Sequence, residues 1–231
     1  MQVVVEWRRQ ETSEPPRRLI VANTHLLFNP GRGDVKLAQL ERLLSSLAAL
    51  RQVSDSDAAL PLVLCGDFNL MPHSALYEFL SRRSLDVSGL SKHLLSGQNM
   101  DHRQASAVFQ REKDTARHHG HGTAVGRFDR ARARRSYFHH FPRDTVATHE
   151  LDLVSAYAQA PDDECTGEPK FTTFHEGTKG TVDYIWFTRD DVHCHGVVEM
   201  APAGQLFNAA SLPTAHHASD HLSLVADVSL R

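Results

Sequence analysis

A chain of 231 residues with 41% hydrophobic residues is long enough to bury the core of one α/β domain, and its length argues against two complete domains. The formal net charge of −3 argues against a wholly basic nucleic-acid-binding protein, although one face can still be basic. The three cysteines form neither a paired framework nor a CxxC zinc pattern, and no stretch reaches transmembrane length, so we expect a cytoplasmic or nuclear protein.

The first part of the chain has strand patterns followed by a strong helix pattern. Residues 3–7 and 19–27 are typical of two strands joined by a polar, proline-bearing connection. A turn cluster follows, and its Asp34 is predicted to cap the next helix. Leucines recur at helical spacing from Leu37 to Leu50 and form one apolar stripe. Polar residues between them, Lys36 included, are predicted to face solvent.

The continuous apolar run at 60–65 is typical of a strand that is buried on both faces. A shorter helix, opened by Pro72 and Ser74, is predicted to extend to about Arg82. Three later segments alternate or run apolar and are predicted to be strands: 171–174, 181–188 and 222–230.

The middle of the chain, at about 88–148, has no sustained period and mixes arginine, histidine and glycine. We therefore expect an irregular insertion in a single domain that spans 1–231. Its arginines between 127 and 135, interleaved with aromatic residues, could track an RNA backbone, although a solvated loop is the more common explanation. Neither its histidines nor His193-Cys194-His195 have the spacing of a tetrahedral site, so no structural metal is assigned.

Four short strings place polar side chains at the ends of strand-like runs. They are Asn23-Thr24-His25, Gly66-Asp67-Phe68-Asn69, Thr181-Val182-Asp183-Tyr184 and Ser219-Asp220-His221. Attack of water on a phosphodiester needs a divalent cation, groups that bind the phosphoryl oxygens, and a base for the water. Carboxylates are the ligands that Mg²⁺ prefers, and rigid strand ends can fix them. The strings together predict metal-assisted phosphate hydrolysis, whereas each residue alone would more often be a cap or a turn residue.

In this order the strings resemble those of the endonuclease/exonuclease/phosphatase superfamily. The run from Asn29 to Gln39 resembles the Angel branch of that superfamily, which is related to the carbon catabolite repressor deadenylases and nocturnin. The resemblance implies an α/β (α+β) fold, a four-layer αββα sandwich. It also implies Mg²⁺ as the cofactor, with Mn²⁺ as an alternative, and an RNA 3′ end or a nucleotide as the substrate.

The resemblance assigns roles to the side chains at the first two strand ends. His25 would hydrogen-bond the scissile phosphate. Asp67 would orient or deprotonate the attacking water, and Asn69 would position phosphate or water beside it.

The later strings receive roles from the same resemblance. Asp183 would orient a catalytic or phosphate-binding side chain, with a contribution to a second metal as an alternative. Asp220 would contribute to the metal site, directly or through water, and would support His221. In turn, His221 would stabilise the pentacovalent phosphate.

One departure from the family pattern concerns the principal metal ligand. Family members have a glutamate at the end of an upstream strand, and neither Glu6 nor Glu11 has that setting. The resemblance therefore implies that this chain corresponds to the C-terminal part of the fold, N-terminally truncated, with the glutamate ligand upstream of Met1. Because a lost ligand weakens cation binding, we expect weak or no activity from the isolated chain.

The leading interpretation is a Mg²⁺-dependent phosphohydrolase that acts on RNA 3′ ends. The motifs do not separate a deadenylase-like 3′-exonuclease from a 2′,3′-cyclic phosphatase, since both reactions use the same metal and the same in-line attack. The alternative is a noncatalytic remnant of the fold that binds RNA or protein.

Overall fold

A computed structural model describes most of the chain. The described residues are 2–7, 17–52, 59–98, 145–159, 167–175, 178–200, 211–215 and 217–231. Within them the helices are α1 (Gly33–Arg51) and α2 (Ala75–Arg82), with a 3₁₀ turn at Tyr157–Gln159. The strands in chain order are β1 (Gln2–Trp7), β2 (Arg17–His25), β3 (Leu62–Asp67), β4 (Ser84–Asp86), β5 (Val146–Thr148), β6 (Leu153–Ser155), β7 (Thr173–His175), β8 (Thr178–Gly180), β9 (Asp183–Thr188), β10 (Val192–Val197) and β11 (Ala226–Leu230).

The main sheet has five strands in the order β1-β2-β3-β9-β6. Strands β2 and β3 run parallel, and the other neighbouring pairs run antiparallel. Three two-stranded pairs accompany it: β4 with β5, β7 with β8, and β10 with β11. The predicted strands at 3–7, 19–27 and 60–65 therefore form three of the five strands of this sheet, and 181–188 supplies a fourth, β9, which pairs with β3.

Alternate side chains of β3 enter two different cores, because successive residues of a strand point to opposite faces. Leu62 and Leu64 pack with the leucines of α1 and with α2. Val63 and Cys65 pack with the apolar residues of β10 and β11. The described residues thus form three layers: helices, the five-stranded sheet and the β10-β11 pair. The prediction of a strand buried on both faces is confirmed.

Helix α1 follows the predicted stripe with two differences. Its buried leucines are Leu37, Leu40, Leu44 and Leu47. The helix begins at Gly33 after Arg32, without a side-chain cap, and Asp34 lies in the first turn, so the prediction that Asp34 caps the helix is wrong. Lys36 is fully buried, so the prediction that it faces solvent is also wrong. Neither helix of the described chain is long and apolar enough to cross a membrane.

Helix α2 has the predicted start. The Ser74 hydroxyl accepts a hydrogen bond from the backbone N–H of Tyr77 at 3.2 Å, which satisfies one of the free donors of the first turn. At its other end Arg83 adopts a left-handed conformation with φ of 65° and donates its N–H to the Phe79 carbonyl. The helix therefore ends by a local turn and leads directly into β4.

The described residues include both ends of the segment predicted to be an irregular insertion. Residues 88–98 form packed turns that bury Leu90 and Leu95. Val146–Thr148 forms β5, which pairs with β4 and so closes the insertion. The arginine-rich stretch from 127 to 135 lies outside the described residues.

A buried carboxyl lies under α2. Glu168 is 1% exposed, and the Tyr77 hydroxyl donates to its Oε1 at 2.7 Å. The Tyr77 ring in turn packs against Tyr184 and Trp186 of β9, with centroids 5.5 and 5.0 Å apart. Burial raises the pKa of Glu168 to about 7, although the Tyr77 hydrogen bond lowers it.

The Glu168→Gln variant is expected to flatten the pH dependence of stability. The folded state holds the Glu168 proton up to a pH of about 7, whereas the unfolded chain loses it near 4.5, so stability falls as the pH rises between these values. Above that window, removing the charge should raise the free energy of unfolding by about 3 kcal/mol, at 1.36 kcal/mol for each pKa unit. Urea unfolding at about pH 5 and pH 8 measures this, with the exposed Glu150→Gln as control. Equal changes in the free energy of unfolding of the Glu168 and Glu150 variants would contradict this prediction.

Candidate active site

Three polar side chains lie in one row across the main sheet. His25 ends β2, Asp67 ends β3, and Asp183 begins β9. His25 is the register partner of Asp67, and Asp67 is the register partner of Asp183. Because β9 is antiparallel to β3, its first residue meets the last residue of β3. The order of strands therefore brings together side chains that are far apart in the sequence.

Asp67 is at the centre of this row. Its Oδ1 accepts the backbone N–H of Asn69 at 2.8 Å, and its Oδ2 accepts the Asn69 Nδ2 at 3.1 Å. The Nε2 atom of His25 lies 3.4 Å from the same Oδ2. Burial raises the pKa of Asp67, the Asn69 N–H lowers it and the charge of Asp183 raises it, and the net direction is upward. Asp67 is thus a fixed carboxylate that gains a proton more readily than a solvated one.

Asp183 has two donors on one oxygen. The Thr172 hydroxyl donates to Oδ2 at 2.6 Å, and the Nδ1 of His221 lies 2.8 Å from the same atom. The Thr172 oxygen accepts the backbone N–H groups of Val182 and Asp183, at 3.0 and 3.1 Å. The hydroxyl is therefore oriented by the start of β9 and must point its proton at Asp183.

His221 reaches the row from the last part of the chain. The backbone N–H of the next residue, Leu222, donates to the Thr172 carbonyl. The backbone N–H of His221 itself donates to the Ser219 hydroxyl at 3.0 Å. Burial lowers the pKa of His221, but the hydrogen bond that its Nδ1 donates to Asp183 and the charge of that carboxylate outweigh burial, so the pKa is raised. The imidazole, one third exposed, is thus oriented by Asp183 and stabilised in its protonated form.

The neighbouring Asp220 is held by its backbone. Its carbonyl accepts the Phe174 N–H at 3.0 Å and the Thr173 hydroxyl at 3.1 Å, which ties the 217–222 turn to β7.

His25 differs from the other members of the site, because its side chain is 70% exposed. Its exposed imidazole is therefore available to a ligand that approaches from solvent.

Asn69 and Lys36 support the row from the helix side. Asn69 is 3% exposed, has a positive φ of 49°, and donates its Nδ2 to Asp67 and to the Leu26 carbonyl, the latter at 3.1 Å. The Lys36 ammonium donates to the Asn69 carbonyl at 2.7 Å and to the side-chain oxygen of Gln98. Burial lowers the pKa of Lys36 to about 8, while the charge of Asp67 raises it.

Among the described residues, one group of potential metal ligands has its atoms within 4.8 Å of one another: Asp67, Asp183 and His221. Two carboxylates and an imidazole suit a divalent cation, and the carboxylates favour a hard ion such as Mg²⁺ or Mn²⁺. The donor set therefore fits a metal. The carboxylate of Asp220, the residue predicted to bind it, is not a member of this group.

Three residues of the site were not singled out from sequence as functional. Thr172 and Gln98 lie in turns whose positions depend on tertiary contacts, and nothing local indicates their partners. Lys36 has a local signal, since it lies four residues before Leu40 and so belongs to the buried face of α1. Lys36 was predicted to face solvent because it is charged. The two hydrogen bonds of its ammonium compensate for the cost of burying that charge.

The sequence profile of the Endonuclease/Exonuclease/phosphatase family matches residues 14–221, which include every member of the row. The chain belongs to this family. The predicted family, its fold and its class of hydrolytic enzymes are thereby confirmed. The further predictions about individual residues remain proposals.

Relatives within the family include both branches that the sequence resembles. Carbon catabolite repressor protein 4 homolog 5 of Arabidopsis thaliana is 32% identical over 94% of this chain and 47% of its own length. Protein angel homolog 2 of Homo sapiens is 30% identical over 92% of this chain and 44% of its own length. The chain thus spans less than half the length of these curated relatives.

Solved structures support the same fold. A crystal structure of ANGEL2, described as a 2′,3′-cyclic phosphatase in complex with adenosine-2′,3′-vanadate, is 27% identical, with a TM-score of 0.64 over 98% of this chain and 65% of that one. The human nocturnin catalytic domain is 21% identical, with a TM-score of 0.50 over 100% of this chain and 53% of that one. The nocturnin likeness supports the fold alone.

Proposed function

We propose that this chain carries the catalytic row of a metal-dependent phosphohydrolase that acts on RNA 3′ ends. The observation that carries the proposal is the meeting of Asp67, Asp183 and His221 within 4.8 Å at the edge of one sheet. A remnant that only binds RNA or protein has no need for two carboxylates side by side, because the repulsion between them raises the pKa of Asp67 and must be offset by nearby donors. The arrangement therefore favours catalysis over the noncatalytic alternative.

The contacts of each residue support a division of roles. Asp67, fixed by Asn69, orients or deprotonates the attacking water. His25, largely exposed, binds the scissile phosphate. His221, oriented by Asp183, stabilises the charge that develops on the phosphoryl oxygens. Because both Nδ2 hydrogens of Asn69 are taken by Asp67 and Leu26, Asn69 acts on the carboxylate in preference to the phosphate.

Asp67 and Asp183 would hold the divalent cation, with Asp220 as a further ligand or a ligand through water, while the protonated His221 beside them stays available to the phosphate. Mg²⁺ or Mn²⁺ supplies charge to the phosphoryl oxygens and favours deprotonation of water when it is bound.

The two cysteines of the described chain, Cys65 and Cys194, are free thiols, which supports a reducing compartment such as the cytoplasm or nucleus.

Between the two reactions, we propose hydrolysis of a terminal 2′,3′-cyclic phosphate ahead of removal of adenylates. The ANGEL2 structure, described as a 2′,3′-cyclic phosphatase, matches nearly the whole chain. The deadenylase-like reaction remains the second candidate because of the carbon catabolite repressor relatives. Both need the same row of residues, so the substrate distinguishes them.

The test uses RNA that ends in a 2′,3′-cyclic phosphate and RNA that ends in a 3′-hydroxyl adenylate tract, each with Mg²⁺ or EDTA. Two proteins are assayed: this chain, and a hybrid in which it replaces the matching part of protein angel homolog 2. Mg²⁺-dependent opening of the cyclic phosphate by the hybrid, lost in Asp67→Ala, is the expected result. A hybrid that hydrolyses neither RNA, or an Asp67→Ala hybrid that matches its parent, would refute the proposal.

A further inference from the structure

Lys36 is a fully buried charge whose two polar contacts both lead toward the candidate site. Its Nζ donates to the Asn69 backbone carbonyl at 2.7 Å and to the Oε1 of Gln98. Leu40 and Leu44, which follow it on the same face of α1, pack in the core. Burying a lysine at a position where a leucine would fit is unfavourable unless its hydrogen bonds are needed. Core packing alone therefore does not explain why a lysine occupies position 36.

The hydrogen bonds from Lys36 form a chain with one direction. An ammonium can only donate, so Gln98 must turn its Oε1 toward Lys36. This leaves the Gln98 Nε2 to donate to the Oδ1 of Asn69, at 3.1 Å. The Asn69 Nδ2 is then left to donate to the Oδ2 of Asp67, at 3.1 Å. The ammonium thus fixes the orientation of the Gln98 amide. The Gln98 Nε2, together with the Leu26 carbonyl, then holds the Asn69 amide with its Nδ2 toward Asp67.

A reversed amide at Asn69 would place its oxygen against the Asp67 carboxylate. Two acceptors would then face each other in a partly buried site, and the carboxylate would lose one of the two donors that hold its plane. The Asn69 backbone is itself in the left-handed region, with φ of 49°, so its position also depends on the bond from Lys36 to its carbonyl. Both contacts of Lys36 therefore bear on the position of Asp67.

We propose that Lys36 is a positioning residue, which fixes the Asp67 carboxylate through Gln98 and Asn69. The chain of hydrogen bonds Lys36 to Gln98 to Asn69 to Asp67 is called the amide relay below. Its importance for turnover rests on the proposed function, whereas its effect on Asn69 does not. The effect of the relay on Asn69 and its importance for turnover can therefore be tested separately.

Two variants break the amide relay at different links. Lys36→Met removes the ammonium and keeps an unbranched side chain in the core. Gln98→Glu keeps the size of the side chain and a partner for Lys36, but a carboxylate cannot donate to the Asn69 oxygen. Lys170→Met, at an exposed position, is the matched control for the loss of a lysine. Urea unfolding of each variant confirms that it folds.

The first readout is hydrogen exchange of the Asn69 side-chain amide, followed by NMR in the metal-free chain. We expect slow exchange in the parent and in Lys170→Met. Both relay variants should exchange about fivefold faster or more, the factor that corresponds to losing a hydrogen bond of ~1 kcal/mol. If Lys36→Met folds too poorly for NMR, Gln98→Glu alone decides. Unchanged exchange in Gln98→Glu would overturn the relay.

The second readout is turnover of the RNA on which the parent is active. Both relay variants should lower kcat by about 10- to 100-fold, with little change in KM, since they misplace a group that acts in the transition state. A merely structural role would lower the urea midpoint and leave kcat of the folded fraction unchanged, and that result would overturn the proposal. Turnover of each variant is measured in the hybrid with protein angel homolog 2. If the parent hybrid turns over neither RNA, the proposed function fails, and the amide exchange still decides whether Lys36 positions Asp67.

Discussion

The Asp183→Asn variant is expected to retain the fold and to lose about 10²- to 10⁴-fold in kcat, the range over which a positioned acid or base contributes to a reaction. Asp183 is the one carboxylate that both orients His221 and accepts from Thr172, at 2.8 and 2.6 Å. An asparagine keeps the size of the side chain, but it carries no charge for a protonated imidazole. The loss therefore falls on electrostatics and leaves packing intact.

The chemistry of the substituted amide makes the loss larger than that of one hydrogen bond. The Thr172 hydroxyl must donate, because its oxygen already accepts two backbone N–H groups. The asparagine oxygen would be drawn to that donor, which leaves the His221 Nδ1 opposite a group without charge. The pKa of His221, raised by Asp183, should then fall. A neutral imidazole stabilises a phosphoryl charge poorly.

Three measurements separate this account from a general loss of structure. Urea unfolding should place Asp183→Asn within about 1 kcal/mol of the parent. NMR titration of the metal-free protein should show a lower pKa for His221. Asp152→Asn, in an exposed ion pair with Arg189, is the control and should change neither property. Turnover within tenfold of the parent would show that Asp183 does not act in the reaction.

The strand-end strings predicted the members of the site better than they predicted their partners. Runs of apolar residues locate the ends of β2 and β3, and polar residues at those ends meet because the two strands are parallel neighbours. The partner of Asp183 could not be inferred in this way. Thr172 lies eleven residues before it in a turn, and only the closure of β7 and β8 brings the two together.

Elements without a strong period were also missed. Strands β4 and β5 have three residues each, too few to show alternation, and they pair across the long segment from 87 to 145. Strand β10 contains His193-Cys194-His195, and its two histidine rings lie together, 4.6 Å apart, while Cys194 packs inward. The polar residues of this segment gave no reason to assign a strand from the sequence. Periodicity thus located the core elements and not the edges.

The Gly66→Ala variant is expected to lose at least about 3 kcal/mol of stability, from backbone strain and overpacking together. Gly66 has φ of 142°, which L-residues with a side chain rarely adopt. A Cβ atom there would lie 1.9 Å from the Thr24 carbonyl oxygen and 2.9 Å from two further backbone atoms of Thr24. Backbone atoms cannot move aside as a flexible side chain can, so β2 and β3 would have to separate.

Gly196→Ala provides the matched control, since an added Cβ there meets nothing within 4 Å. Its free energy of unfolding should stay within about 0.5 kcal/mol of the parent, as for an ordinary surface change. Urea unfolding compares the two variants. Equal midpoints would mean that the strand ends can adapt to a side chain at Gly66.

The position of Gly66 gives this strain a second consequence. Its register partner is Thr24, one residue before the pair formed by His25 and Asp67. Separation of the strands at Gly66 would therefore move the His25 imidazole away from the Asp67 carboxylate. Reacting groups must be held within fractions of an ångström of their productive geometry. The folded fraction of Gly66→Ala, assayed below its unfolding transition, should consequently lose turnover, while Gly196→Ala should keep that of the parent.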